Sequence, residues 1–199
     1  MNRLVARTAR TILGLTRPSG VVNRRRLAER QESLDDLIIR EAVPADIPAL
    51  TALHVELWNA TYPRYQPKPT IEIRLAQWEH AFAAEHGWFC LLVVRPDGEL
   101  IGFAKGIPAD HPGFDGELSK IYLRWEYHGL GLGRRLMEHV ARRFIEQGVT
   151  SMILFAEPTN PSCGFYEAMG GELIPDEDGR VHGAYGWRDL SGLAMNHEK

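Results

Sequence analysis

Three glycines at every second position, Gly129, Gly131 and Gly133, are the most informative chemical feature of the sequence. They lie between a predicted strand that ends at Leu123 and a predicted helix that begins at Leu136. Closely spaced glycines let backbone N–H groups converge on an anion, and the following helix adds unpaired donors and the positive end of its dipole. The spacing therefore predicts a loop that binds phosphate or pyrophosphate, although a turn that only needs small residues would also explain a glycine run.

The residue after the glycines excludes two familiar phosphate-binding loops. A dinucleotide-binding fingerprint that starts at Gly129 requires glycine or alanine at position 134, which is Arg134. A Walker-type loop requires Gly-Lys-Ser or Gly-Lys-Thr, and neither is present. The loop must therefore serve another phosphate-bearing ligand, if it binds one.

The elements around the loop follow alternating strand and helix patterns. The predicted strands are short β-rich or apolar runs, and apolar residues recur every three or four positions in the first predicted helix. Pro96-Asp97-Gly98 is a short turn that predicts a hairpin. The predicted strands are 37–42, 88–95, 99–107, 117–123, 151–156, 172–174 and 181–188, and the predicted helices are 47–57, 71–82, 136–147 and 160–169.

Composition indicates one globular domain. The chain has 199 residues, 44% of them hydrophobic, and a formal net charge of -3, so it can bury one sizeable core. No apolar run approaches the roughly 18 residues that a membrane-spanning helix needs. Two cysteines, Cys90 and Cys163, and eight scattered histidines have no metal-ligand spacing, so neither a disulfide framework nor a metal site is predicted.

Charge divides the chain into two parts. Residues 1–30 carry eight Arg and one Glu, or +7, whereas residues 31–199 carry 15 basic and 25 acidic side chains, or -10. We expect residues 1–36 to be a disordered Arg-rich extension, with an amphipathic targeting helix in its first 17 residues as the alternative. Residues 37–190 are predicted to form the domain and 191–199 a tail. The net negative charge of residues 31–199 argues against nucleic acid as a partner, because such binding depends on Lys and Arg.

The motifs together resemble those of the GNAT family of N-acetyltransferases. The resemblance rests on Glu117-Leu118-Ser119-Lys120-Ile121-Tyr122-Leu123 before the glycine loop and on Asn160-Pro161-Ser162-Cys163-Gly164-Phe165-Tyr166-Glu167 after it, and it spans about residues 37–190. The family's signature for acetyl-CoA maps to His128, Gly131 and Gly133. The glycines match, but histidine stands where the family has Gln or Arg, and Trp125 stands where many members have proline.

The resemblance implies an α/β (α+β) fold, with a mixed, mostly antiparallel central sheet that splays open between its fourth and fifth strands and carries flanking helices. It also implies that the coenzyme's pantetheine arm lies in that gap. The residues that the resemblance assigns to acetyl-CoA are Ile121, Tyr122 and Leu123 by their main chain, His128, the loop residues Gly129, Leu130, Gly131, Leu132, Gly133 and Arg134, and Asn160. Arg134 and Arg135 are candidates for the coenzyme's additional phosphate, or are simply solvated arginines.

Catalytic roles follow from the same resemblance. Tyr166 is the expected general acid, because a phenol with a pKa of about 10 can protonate a departing thiolate. Glu117 is a candidate base for the attacking amine, and an exposed carboxylate at a strand end is the alternative. Tyr62 is the candidate for contact with the acceptor, whereas Trp58 is expected to pack a helix onto the sheet.

The predicted function is that of a cytoplasmic N-acetyltransferase, which moves an acetyl group from acetyl-CoA directly to a primary amine of a small molecule or peptide. The alternative is a non-catalytic module with the same fold that binds acyl-CoA as a sensor or partner subunit. No metal is expected, and a homodimer is left open.

Overall fold

The computed structural model describes residues 20–84, 87–158, 160–176 and 178–195. Its centre is a seven-stranded sheet in the order β1-β2-β3-β4-β5-β7-β6, in which only the β4–β5 pair is parallel. The strands are β1 Ile38–Glu41, β2 Phe89–Val94, β3 Leu100–Pro108, β4 Gly116–Leu123, β5 Met152–Phe155, β6 Glu172–Pro175 and β7 Val181–Trp187. The α-helices are α1 Gly20–Glu29, α2 Ile47–Thr61, α3 Ile71–Ala83, α4 Leu132–Glu146, α5 Cys163–Ala168 and α6 Ser191–Ala194.

Helices cover both faces of the sheet. Every residue of β2 is buried, and alternate side chains belong to different clusters because neighbouring residues of a strand point to opposite faces. Phe89 packs with Phe144 of α4 on one face, with ring centroids 4.8 Å apart. Leu92 packs on the other face with Leu50 of α2 and Trp78 of α3.

The fourth and fifth strands separate soon after they meet. They pair only at Gly116 with Met152 and at Glu117 with Ile153, although β4 continues to Leu123. Beyond Glu117 the β5-facing edge of β4 therefore has no strand partner in the described part of the chain. This gap and the flanking helices confirm the mixed α/β fold and its predicted splay.

A β-bulge in β4 changes which side chains share a face. Lys105 of β3 pairs with Lys120, and the next residue, Gly106, pairs with Leu118, so Ser119 has no opposite residue. The Ser119 hydroxyl instead donates to the Lys105 carbonyl. Since the extra residue resets the alternation, Glu117, Lys120 and Tyr122 all point to the face that α2 and α3 cover.

The helix α1 corrects the expectation of a disordered extension through residue 36. Asn23 and Leu27 of α1 are buried, and the Asn23 side-chain amide donates to the carbonyls of Trp125 at 2.8 Å and His128 at 2.9 Å. These contacts join residues more than a hundred positions apart in sequence, so composition alone could not predict that α1 packs on the domain. Residues 1–19, including the alternative targeting helix, lie outside the described residues.

The short helix α6 lies within the predicted C-terminal tail. It anchors the tail to the domain, because its residue Leu193 is buried in the core. Among the described residues, no helix is long and apolar enough to cross a membrane, and no cluster of His, Cys, Asp and Glu has a metal-binding arrangement.

Candidate active site

The glycine loop ends in the first turn of α4. Gly129 and Gly131 adopt φ values of 73° and 88°, in the left-handed region that glycine enters without steric cost. Gly131 is the N-cap, so α4 begins at Leu132, four residues earlier than predicted. Gly133 and Arg134 therefore belong to the first turn, where N–H groups have no partner within the helix. This geometry is suited to an anion.

A groove of about 500 Å³ runs from the glycine loop along the end of β4 to α5. The glycines of the loop, Arg134 and the end of β4 line it, and residues of α5 close the opposite side. The side chains of Leu130 and Leu132 are instead buried in the core, which leaves their backbone to the loop. A second, smaller cavity of about 80 Å³ adjoins the groove. The residues that line both are Ile121, Tyr122, Leu123, His128, Ser162 and Tyr166.

His128 connects the loop to the end of β4. Its Nε2 lies 2.8 Å from the Leu123 carbonyl oxygen, and its ring stacks on Trp125 with centroids 5.2 Å apart. The ring therefore positions the turn between strand and loop. A contact from His128 to a phosphate remains a prediction.

Tyr166 lies where the two cavities meet. It is buried on α5, and its ring packs against Phe165 and Tyr185 at centroid distances of 5.6 and 5.5 Å. Burial, followed by the nearby Tyr62 and Tyr122, raises the pKa of the Tyr166 phenol. The hydroxyl therefore keeps its proton at neutral pH, as a general acid must.

Tyr62 and Asn160 form one wall of the small cavity. The Asn160 side-chain amide donates to the Tyr62 hydroxyl at 3.0 Å, and burial raises the pKa of that phenol. Tyr62 also packs against Trp58 and Tyr65, with centroids 5.4 and 5.7 Å away. The structure thus brings the predicted acceptor residue into contact with a predicted coenzyme residue.

Glu117 lies on the same face as the small cavity but does not line it. Burial is the main cause that raises the pKa of its carboxyl, and the charge of Asp110 also raises it, while Lys120 lowers it. A raised pKa brings a carboxylate closer to the range in which it accepts a proton from an amine. The base assignment stays a prediction, because a water molecule would have to connect Glu117 to the cavity.

The two arginines that follow the loop have different environments. Arg134 is exposed and lines the groove. Arg135 donates to the carbonyls of Leu34 at 3.1 Å and Leu37 at 2.9 Å, and it does not line the groove. Arg135 therefore anchors the segment between α1 and β1, which removes it as a candidate for the coenzyme's phosphate.

Four basic residues on this side of the sheet were not predicted from the sequence to belong to the site. Lys105, Lys120 and Arg74 are half-buried, and His54 is buried among Trp78, Phe103 and Tyr122. Burial, and then the charges of Arg74, Lys120 and Lys105, lower the pKa of His54 to about 2. Lysines in the middle of two predicted strands were the available signal, because strand interiors of a buried sheet rarely carry charge.

Comparison with known proteins gives consistent results. The sequence profile described as the "Acetyltransferase (GNAT) family" matches residues 50–171. The N-acetyltransferase YuaI of Bacillus subtilis is 29% identical over 78% of this chain and 95% of its own length. The L-methionine sulfoximine/L-methionine sulfone acetyltransferase of Pseudomonas paraeruginosa is 28% identical over 79% of this chain and 93% of its own. The crystal structure of PaiA N-acetyltransferase from Thermoplasma acidophilum in complex with coenzyme A superposes with a TM-score of 0.60 at 21% identity, covering 75% of this chain and 97% of that one.

Proposed function

Because the chain belongs to the GNAT family of acetyltransferases, we propose that it transfers an acetyl group from acetyl-CoA to a primary amine of a small molecule or peptide. The observation that carries the proposal is the meeting of two cavities at Tyr166. One is a groove with an anion-binding loop at its far end, and the other is a small cavity with room for an acceptor. A buried phenol between them lies where a thiolate would leave.

The groove fits the parts of acetyl-CoA in order. The pyrophosphate would bind the N–H groups between Gly129 and Arg134, because an added Cβ at Gly131 would meet no protein atom within 4 Å and the loop is open there. The pantetheine arm would lie along the unpaired edge of β4, where its amides would pair with the backbone of Ile121 and Leu123 as an added strand does. Asn160, which lines the adjoining small cavity, would contact the end of the arm from there.

The reaction then needs few protein groups. The neutral amine attacks the thioester carbonyl, a C–N bond forms, and the C–S bond breaks as the thiolate leaves. The Tyr166 hydroxyl donates a proton to the thiolate, whose reference pKa is about 8.5. A backbone N–H of β4 near Leu123 would stabilise the oxyanion. The amine's proton passes to solvent or, through water, to Glu117.

The acceptor would enter through the small cavity, beside Tyr62. Its volume of about 80 Å³ is that of roughly three water molecules. This size favours a small amine or the end of a peptide chain. The relative from Pseudomonas paraeruginosa is named for acetylating two small amino-acid derivatives, which supports a small molecule.

The proposal is tested by binding and turnover together. Acetyl-CoA at one hundred times its Kd should stabilise the folded chain by about 2.7 kcal/mol, seen as a rise in Tm. Release of free CoA thiol should then depend on an added amine from a panel of amino acids, their amides and short peptides. Absence of a Tm shift with acetyl-CoA, CoA and longer acyl-CoAs would refute the coenzyme assignment. Binding without turnover of any amine would favour the non-catalytic alternative.

A further inference from the structure

Three cations lie together on the face of the sheet that α2 and α3 cover. Lys105 and Lys120 are direct partners across β3 and β4, and Arg74 reaches the same region from α3. Like charges directly opposite each other in a sheet destabilise it. A cluster of this kind therefore needs a reason other than stability.

Within the described residues, none of the three cations forms an ion pair. The only hydrogen bond of Arg74 to another side chain in this part of the chain goes to Gln77. The Arg74 Nε is buried and unpaired. Burial, joined for Lys120 by the charges of Lys105 and Arg74, lowers the pKa of each. Half-buried cations without counter-charges are costly unless an anion arrives to pair with them.

Lys120 is the member of the cluster that reaches a cavity. It lines the small cavity but not the coenzyme groove, whereas Tyr122, two residues further along β4, lines both. Two residues of a strand span roughly 6.6 Å, so Lys120 lies about one small molecule's length from the place where the cavities meet. Lys120 and Tyr122 lie on the same face because they are two residues apart in the regular part of β4 that follows the bulge at Ser119.

The other two cations support Lys120 from behind. Lys105 lies over the rings of Trp78 and Trp88, 5.5 and 5.2 Å from their centroids, which holds its charge beneath α3. Arg74 lies near enough to Lys120 for its charge to lower the pKa of the Lys120 ammonium. The charge of Glu117 acts on Lys120, and one carboxylate against three cations leaves the cluster with an excess of positive charge.

We propose that Lys120, assisted by Arg74, binds an anionic group of the acceptor, so that the preferred substrate is an amine that also carries a carboxylate. The amine would then face Tyr166 while the carboxylate pairs with Lys120 at the other end of the small cavity. This inference rests on the proposed acetyl transfer and adds the chemical class of the acceptor. The Lys120 ammonium would donate a charge-assisted hydrogen bond to the carboxylate, and the charge of Arg74 would add to the positive field at Lys120.

The test compares amines that differ only in the carboxylate. Glycine, methionine and methionine sulfone are each offered beside their carboxamides, and kcat/KM is measured with saturating acetyl-CoA for wild type, Lys120→Met, Arg74→Met and Lys68→Met. Lys68 is exposed on the loop before α3, so its substitution is a matched loss of one positive charge. Comparing the acid-to-amide ratio between variants cancels the difference in amine basicity.

We expect wild type and Lys68→Met to prefer at least one acid over its amide by tenfold or more. Lys120→Met should lower that ratio at least tenfold, and Arg74→Met at least threefold. Equal rates for acids and amides in wild type, or an unchanged ratio in Lys120→Met, would overturn the inference and leave acetyl transfer standing.

If the protein acetylates none of these amines, a binding measurement tests the inference instead. The acids, but not the amides, should raise the Tm of the CoA-loaded wild type, and Lys120→Met should lose the shift. If neither acids nor amides shift the CoA-loaded protein, the anion site is refuted. If acetyl-CoA itself fails to bind, the proposed function and this inference fall together.

Discussion

The side-chain amide of Asn160 donates to the hydroxyl of Tyr62 at 3.0 Å, across 98 positions of sequence. This hydrogen bond joins the end of α2 to the segment before α5, and it closes one wall of the small cavity. The bond therefore joins the residue proposed to contact the pantetheine arm to the residue proposed to contact the acceptor. Under these proposed assignments, binding of the arm at Asn160 would restrain the Tyr62 hydroxyl.

Gly131→Val should abolish measurable binding of acetyl-CoA. The φ of 88° costs a β-branched residue of the order of 1–2 kcal/mol, and the new side chain would project into the open space of the loop, where the phosphates are expected. Isothermal calorimetry on the folded variant measures this. Gly98→Val is a matched control, because Gly98 has a φ of 89° and equally open surroundings in the β2–β3 turn. Unchanged affinity in Gly131→Val would show that the loop does not hold the pyrophosphate.

Tyr166→Phe should lower kcat by at least tenfold and change the Kd of acetyl-CoA little. The ring would still pack, whereas the proton for the thiolate would be lost, and general acid catalysis is typically worth about 10²- to 10⁴-fold. Steady-state and single-turnover rates distinguish chemistry from product release. Tyr185→Phe is the control, since Tyr185 is a buried neighbour whose hydroxyl donates to Glu167. A wild-type kcat in Tyr166→Phe would limit this residue to packing.

Asn23→Ala should destabilise the fold and weaken coenzyme binding. The substitution removes the two hydrogen bonds from the Asn23 amide to the Trp125 and His128 carbonyls, each worth about 0.5–1.5 kcal/mol, although the Trp125 carbonyl keeps the hydrogen bond from the His128 backbone N–H. Urea unfolding and calorimetry with acetyl-CoA measure the two effects. Arg25→Ala on the exposed side of α1 loses only a surface ion pair with Glu29 and should be close to wild type. Equal stability of both variants would mean that α1 does not support the loop.

His54 should make the fold less stable as the pH falls below about 6.5. Its folded pKa is lowered to about 2, so between these values the unfolded chain binds a proton that the folded protein excludes. The stabilising contribution is complete above pH 6.5 and declines by at most about 1.4 kcal/mol per pH unit toward the folded pKa. Urea unfolding at pH 7.5, 6.5 and 5.5 should show a shallower pH dependence for His54→Phe.

The control for this prediction is His80→Phe, because His80 is exposed on α3. It should keep the pH dependence of wild type. An identical slope for His54→Phe and wild type would contradict the buried, neutral state of His54.

Features encoded within a few residues were predictable from the sequence. The order of strands and helices follows from hydrophobic periodicity, and the glycine loop from the need for positive φ before a helix. The GNAT resemblance added the splay between β4 and β5 and the expected positions of Tyr166 and Asn160. The predicted start of α4, at residue 136, was four residues too late, because Gly131 serves as the N-cap and the helix begins within the glycine run.

The tertiary structure alone decided which distant residues meet. Asn23 docks α1 on the turn before the glycine loop, and the bulge at Ser119 turns Lys120 toward the small cavity. Each depends on contacts between segments far apart in sequence, for which local propensity and periodicity carry no information. Local motifs thus determine the glycine loop proposed for the acetyl donor, whereas the small cavity proposed for the acceptor arises from packing across the sheet.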